Sequence, residues 1–194
     1  MTDFSIGSDG VGAADDDAEA GKALTEDCDF ITEFVPNAAI KACTSEFINV
    51  TIIRTAYARV SLAITFHDGY PSKIPGVELS SSTLPFQLLR CREKACVAAA
   101  KEIQEKRIAG ETSGAGLVEA IYRSIHSFIH TNLFIPCWKE VKTLFNMCEN
   151  TTNTITVHEK TGLLNLKLQC GEYKQQIKVT VPEAYPEEGV KVRA

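Results

Sequence analysis

The sequence predicts an α+β fold built from two related units in tandem, and three features of the chain predict it. The pair Tyr-Pro occurs twice, at Tyr70-Pro71 and Tyr185-Pro186, each time between stretches of alternating apolar residues. The copies lie 115 residues apart, a spacing that suits two small domains better than a solenoid repeat. Before each pair the same order recurs, a helical pattern and then strand patterns, but only the first copy continues into two further helices. The expected division is a disordered acidic tail at 1–23, a first unit at 24–132 and an incomplete second unit at 133–194.

Composition narrows the class. With 44% apolar residues in 194, each half can build a core without a metal or a disulfide. The net charge of -5 leaves no basic surface expected from composition, which argues against nucleic acid and makes a protein the default partner. The cysteines at 28, 43, 91, 96, 137, 148 and 170 are odd in number, and no signal-peptide pattern precedes them. Free thiols in a reducing compartment follow, so a cytoplasmic or nuclear location is expected. For the same reason the glycosylation-like triplets starting at Asn49 and Asn150 read as chance matches. No apolar stretch approaches the roughly 20 residues of a membrane helix.

Along the chain, residues 1–23 combine small residues with the run Asp15-Asp16-Asp17 and offer little to bury. Thr25 is the expected N-cap of a short helix with Cys28, Ile31, Phe34 and Val35 on one face, ended by Pro36. The segments "AIKACTSE", "FINVTIIRT", "YARVSLAITF" and "GVELSSS" then alternate with period two and predict a four-stranded antiparallel meander. Pro71 and Pro75 stiffen the crossover before the fourth strand. Tyr70 offers it a ring to bury and a hydroxyl expected to bond the loop's own amides. The Tyr-Pro unit is therefore read as a structural latch, with a peptide-contact role as the alternative.

With Ser82 or Thr83 as cap, a long helix is expected up to Gly110, placing Leu89, Cys96, Ala99, Ala100 and Ile103 on one side. Arg92 and Glu93 fall near that apolar edge. After the loop "GETSGAG" comes the cleanest amphipathic pattern, Leu117, Val118, Ile121, Tyr122, Ile125, Phe128 and Ile129. Pro136 opens the helix of the second unit, with Cys137, Val141, Leu144, Phe145 and Cys148 on one face, and four strand patterns follow, the first turn at Thr161-Gly162. The two helices expected after its last strand are missing, so one face of its sheet is expected to be bare or covered from outside this chain, as in a fragment, an isoform or an interaction surface.

Tyr70, Pro71 and Pro75 in "GYPSKIPGVEL", with the strands before them and the paired helices after, resemble the RWD domain, a relative of ubiquitin-conjugating enzymes. The resemblance covers about 24–132; in the second copy Tyr185 and Pro186 are kept, but Gly189 stands where a proline is expected. What it implies is a non-catalytic protein-binding module whose partner belongs to ubiquitin or SUMO signalling. No RING-type cysteine and histidine spacing is present, so these residues hold no ligase activity of that kind.

The rival reading is a ubiquitin-conjugating enzyme using Cys96, which follows Tyr70 by 26 residues, as the resemblance to that family suggests. Leu84-Pro85-Phe86 stands where that family has His-Pro-Asn, so the oxyanion donor is lacking. Cys96 also lies on an alanine-rich apolar face, where a thiol is usually a small buried hydrophobe. No catalytic residue is therefore assigned. His126 and His130 have the i, i+4 spacing of metal ligands but no third ligand and occupy the polar side of their helix. His67 and Asp68 read as turn residues, and no metal or cofactor is expected. Leu133 and Phe134, with Trp138, the only tryptophan, form an apolar cluster between the units. Trp138 is either core or an exposed anchor, and the junction is the first candidate for protein binding. A purely structural subunit of a complex is the remaining alternative.

Overall fold

In the computed structural model of the chain the described residues are 12–109 and 116–194. Their order is α1 (Gly12–Phe34), a 3-10 turn (Asn37–Ala39), β1 (Ile40–Cys43), β2 (Phe47–Thr55), β3 (Ala58–Thr65), β4 (Gly76–Ser80), α2 (Phe86–Ile108) and α3 (Leu117–Thr131). A second 3-10 turn (Ile135–Cys137) leads to α4 (Trp138–Cys148), β5 (Thr154–His158), β6 (Leu163–Cys170), β7 (Tyr173–Thr180) and β8 (Lys191–Arg193). The strands form two four-stranded sheets, ordered β1-β2-β3-β4 and β5-β6-β7-β8. The fold is α+β, and each sheet follows sequence order as a meander does.

Two compact units interleave along the chain. One comprises Met1–Thr51, Leu62–Leu79 and Glu93–Arg123, the other Ile52–Ser61, Ser80–Arg92 and Ser124–Ala194. The expected cut between 132 and 133 follows element order, whereas the turn joining β2 to β3 and the last turns of α3 group with the second sheet. Contacts within the second unit account for this. Arg54 donates from Nη1 to the Asn132 carbonyl at 3.2 Å and from Nη2 to the Glu183 carbonyl at 3.3 Å. The Arg92 guanidinium lies 4.0 Å from the centre of the Phe128 ring.

In the first unit, buried Ile31 of α1 and Val35 just after it, Ile48 and Val50 of β2, Leu62 and Ile64 of β3 and Leu117, Val118 and Ile121 of α3 supply the apolar interior. β1 pairs antiparallel with β2, Ile40 opposite Val50 and Cys43 opposite Ile48, with a bulge between Ile40 and Ala42. The expected first strand stops at Cys43 because the Thr44 hydroxyl accepts from the Glu46 and Phe47 amides and turns the chain. α1 reaches back to Gly12, where the sequence reading expects a disordered tail; the alanines of this stretch favour helix. Thr25 is consequently inside the helix, its hydroxyl donating to the Gly21 carbonyl at 2.9 Å, and is not the cap. The rest of the tail, 1–11, and most of the loop at 110–116 lie outside the described residues. Glu93, at the apolar edge of α2, accepts from the Leu79 amide at 2.9 Å.

In the second unit α4 lies on the second sheet. Phe134, Cys137 and Val141 form one buried cluster with Leu164, Leu166 and Val181, and Leu144, Ile155, Val157, Leu168, Ile177, Val179 and Tyr185 pack around it. Burying side chains of this size contributes about 1.5–3 kcal/mol each. Register places Leu164 opposite Val157 and Val179, and Leu166 opposite Ile155 and Ile177, so one face of the sheet is apolar. Phe145, expected on the packed face of α4, is 45% exposed. Gly171 (φ +60°) opens the two-residue turn from β6 to β7, and Gly162 (φ +62°) ends the turn before β6.

Candidate protein-binding surface

The two Tyr-Pro loops have the same backbone form at the pair, since both Tyr-Pro peptide bonds are cis. Their side chains are held differently. Tyr70 is 5% exposed, its ring meets Phe66 edge-on with centroids 4.7 Å apart, and its hydroxyl donates to the Asp27 carboxylate of α1. This corrects the expectation that the hydroxyl bonds amides of its own loop: the acceptor is a buried carboxylate 43 residues earlier. From α2, the Gln104 amide donates to the carbonyls of Pro71 and Ser72. Pro75 is buried and Pro71 half-buried, so the first loop is fastened to two helices and has little free surface.

Tyr185 is half-buried against the second core, Pro186 is exposed, and the Tyr185 hydroxyl makes no hydrogen bond among the described residues. The space beside Gly189 is open, so a Cβ there would meet nothing.

Cys96 is fully buried, and its thiol points to the Ile121 carbonyl at 3.9 Å. A nucleophile must meet its substrate, and this sulfur meets only the interior. Burial similarly pushes the Cys137 thiol up to about 11, with Glu140 adding to the effect. The rings of His126 and His130 stack with centroids 4.2 Å apart on an exposed helix face. Partial burial, then the neighbouring His126 and Arg54, holds the His130 pKa below its usual value. Among the described residues no group of three His, Cys, Asp or Glu could hold a metal ion.

The junction cluster is only partly a surface. Phe134, expected as a binding residue, is 1% exposed and belongs to the core under α4, so it is not available to a partner. Its amide is held by the Asn132 side chain at 3.0 Å, which fixes the chain as it leaves α3. Leu133 and Trp138 are half-buried.

The cover that α4 gives the second sheet thins from strand to strand. Leu164 and Leu166 of β6 are buried, and Ile177 and Val179 of β7 are half-buried. Val192 of β8, directly opposite Val179 and hence on the same face, is 61% exposed. Tyr173, opposite Cys170 at the far end of β7, is 85% exposed. Val192 and, beyond exposed Gln175, Tyr173 therefore present apolar surface to solvent at opposite ends of this face, where the sequence pattern predicts a face left without its helices. Among the described residues no helix is long and apolar enough to cross a membrane. No protein-family model matches the chain, and no curated protein matches it.

Proposed function

We propose that this chain is a non-catalytic protein-binding module of two RWD-like units, working in ubiquitin-type signalling, with the β7–β8 side of its second sheet as the contact surface. The observation that carries the reading is the burial gradient along one cross-strand row, from Leu164 through Val179 to Val192. Such a face gains from being covered; a tyrosine such as Tyr173 is the kind of anchor protein interfaces use, and Val192 adds apolar area to bury. The buried thiol of Cys96 supports the non-catalytic part of the reading. The ubiquitin setting rests on the likeness of "GYPSKIPGVEL" and its flanking elements to the RWD pattern.

The test is recovery of partners with the full chain and with a Tyr173→Ser/Val192→Asn double variant whose circular dichroism matches the parent. Ubiquitin- or SUMO-pathway proteins recovered with the parent and lost with the variant support the reading; an unchanged partner set refutes the placement. A thioester to ubiquitin formed with activating enzyme and ATP, and absent in Cys96→Ser, would overturn the non-catalytic assignment.

A further inference from the structure

The second sheet has another face, and its chemistry is different. Register puts Thr154, Lys167 and Gln176 in one row, Thr156, Asn165, Lys178 and Arg193 in the next, and His158, Leu163, Thr180 and Lys191 in a third. Lys174 lies opposite Gln169 on the same side. Every Lys and Arg of β5–β8 thus falls on the face turned away from α4, and these strands contain no Asp or Glu. All five cations are exposed. Lys191 pairs with Glu188 of the preceding loop at 3.0 Å, while Lys167, Lys174, Lys178 and Arg193 make no ion pair among the described residues. The absence of a basic surface, expected from the net charge of the whole chain, fails here.

We infer that this face docks an extended acidic segment of a partner protein. Like charges directly opposite on a sheet repel, as Lys178 and Arg193 do, so an anionic partner both adds contacts and relieves repulsion already present. Adjacent strands are about 4.8 Å apart and residues rise about 3.3 Å, so the cations from Lys174 to Arg193 fall within reach of one extended peptide. Gln176, Thr156 and Thr180 between them can hydrogen-bond a peptide backbone. A polynucleotide fits less well, because the exposed His158 is the only ring these strands place on the face and the chain as a whole is negative. A membrane surface fits less well, because half-buried Leu163 is the only large apolar residue on the face.

The inference deepens the protein-binding reading above and rests on it. The test is fluorescence anisotropy of a labelled peptide alternating Glu and Ser, titrated with the full chain, beside its Gln-for-Glu analogue, an oligothymidylate and phosphatidylserine vesicles. Expected are binding to the Glu peptide alone, weakening as salt rises, and an affinity loss of about tenfold or more in Lys178→Glu/Arg193→Glu. The neutral variant Lys174→Gln/Lys178→Gln should weaken binding less, and the control Lys142→Glu on α4 should not change it. Equal binding of the Gln peptide, indifference to both face variants, or tighter binding of the oligonucleotide or vesicles would overturn the inference. If the face variants still recover the partners that Tyr173→Ser/Val192→Asn loses, the inference fails while the protein-binding reading stands. Loss of peptide binding on charge reversal with no partner dependence on Tyr173 or Val192 refutes the apolar placement alone.

Discussion

Tyr70 and Tyr185 precede prolines in the same backbone form, yet one is an anchored interior residue and the other leans on a core without a hydroxyl partner. The first loop is held by Asp27 of α1 and Gln104 of α2. The second is held by packing against Phe134, Val141 and their neighbours. The elements packed around each Tyr-Pro pair therefore decide whether its hydroxyl finds a partner. The second loop is correspondingly freer to have its surroundings changed.

The largest effect expected from this contrast lies in the second core. Phe134→Ala should cost about 3–5 kcal/mol, read by urea denaturation followed through Trp138 fluorescence. A much smaller cost would mean that α4 is not held by this cluster. Tyr70→Phe comes next, at about 1–3 kcal/mol, because it leaves the buried Asp27 carboxylate without its hydroxyl donor. Tyr185→Phe should fall below about 0.5 kcal/mol, and equal losses at the two tyrosines would break the comparison. Between these lies a glycine pair. A Cβ at Gly162 would collide with the Val181 carbonyl, whereas one at Gly171 meets nothing. Gly171→Ala should therefore show only the left-handed backbone penalty of about 1–2 kcal/mol, and Gly162→Ala more, compared by thermal melting.

The smallest effect is one of pH. Burial, then the neighbouring Cys43, pushes the Cys28 thiol from 9.0 up to about 12. Folding favours its neutral form, so this contribution to stability is complete below about pH 9 and declines as pH rises toward 12. Cys28→Ser should flatten that alkaline decline. Alkylation at neutral pH should modify exposed Cys91 and Cys170 well before Cys28, Cys96 or Cys137.

Much of the fold was legible because period-two and period-3.6 patterns report directly which side chains are buried. "FINVTIIRT" became β2 as written, and the apolar face of α3 is buried as its spacing predicts. α1 was misread at the position that matters most. Its packed stripe is Asp27 and Ile31 at i and i+4, continued by Val35 just past its end, while Phe34 is 63% exposed and stacks on Phe30. A carboxylate within an acidic stretch looks solvated, and only its alignment with two core residues signals a buried acceptor. Phe134 was misplaced for a related reason, since an apolar cluster at a junction can face either way. The basic face of the second sheet was readable, its cations recurring on one face of strands without acids, but an average over 194 residues hid it.

The pairing of Lys178 with Arg193 gives β8 an unusual response to its medium. A strand fastened by opposite charges loosens as electrolyte is added, whereas this one should tighten, because screening weakens a repulsion instead of an attraction. Amide exchange in the unliganded β8 should therefore slow as ionic strength rises, and at low salt a bound acidic segment should slow it as well.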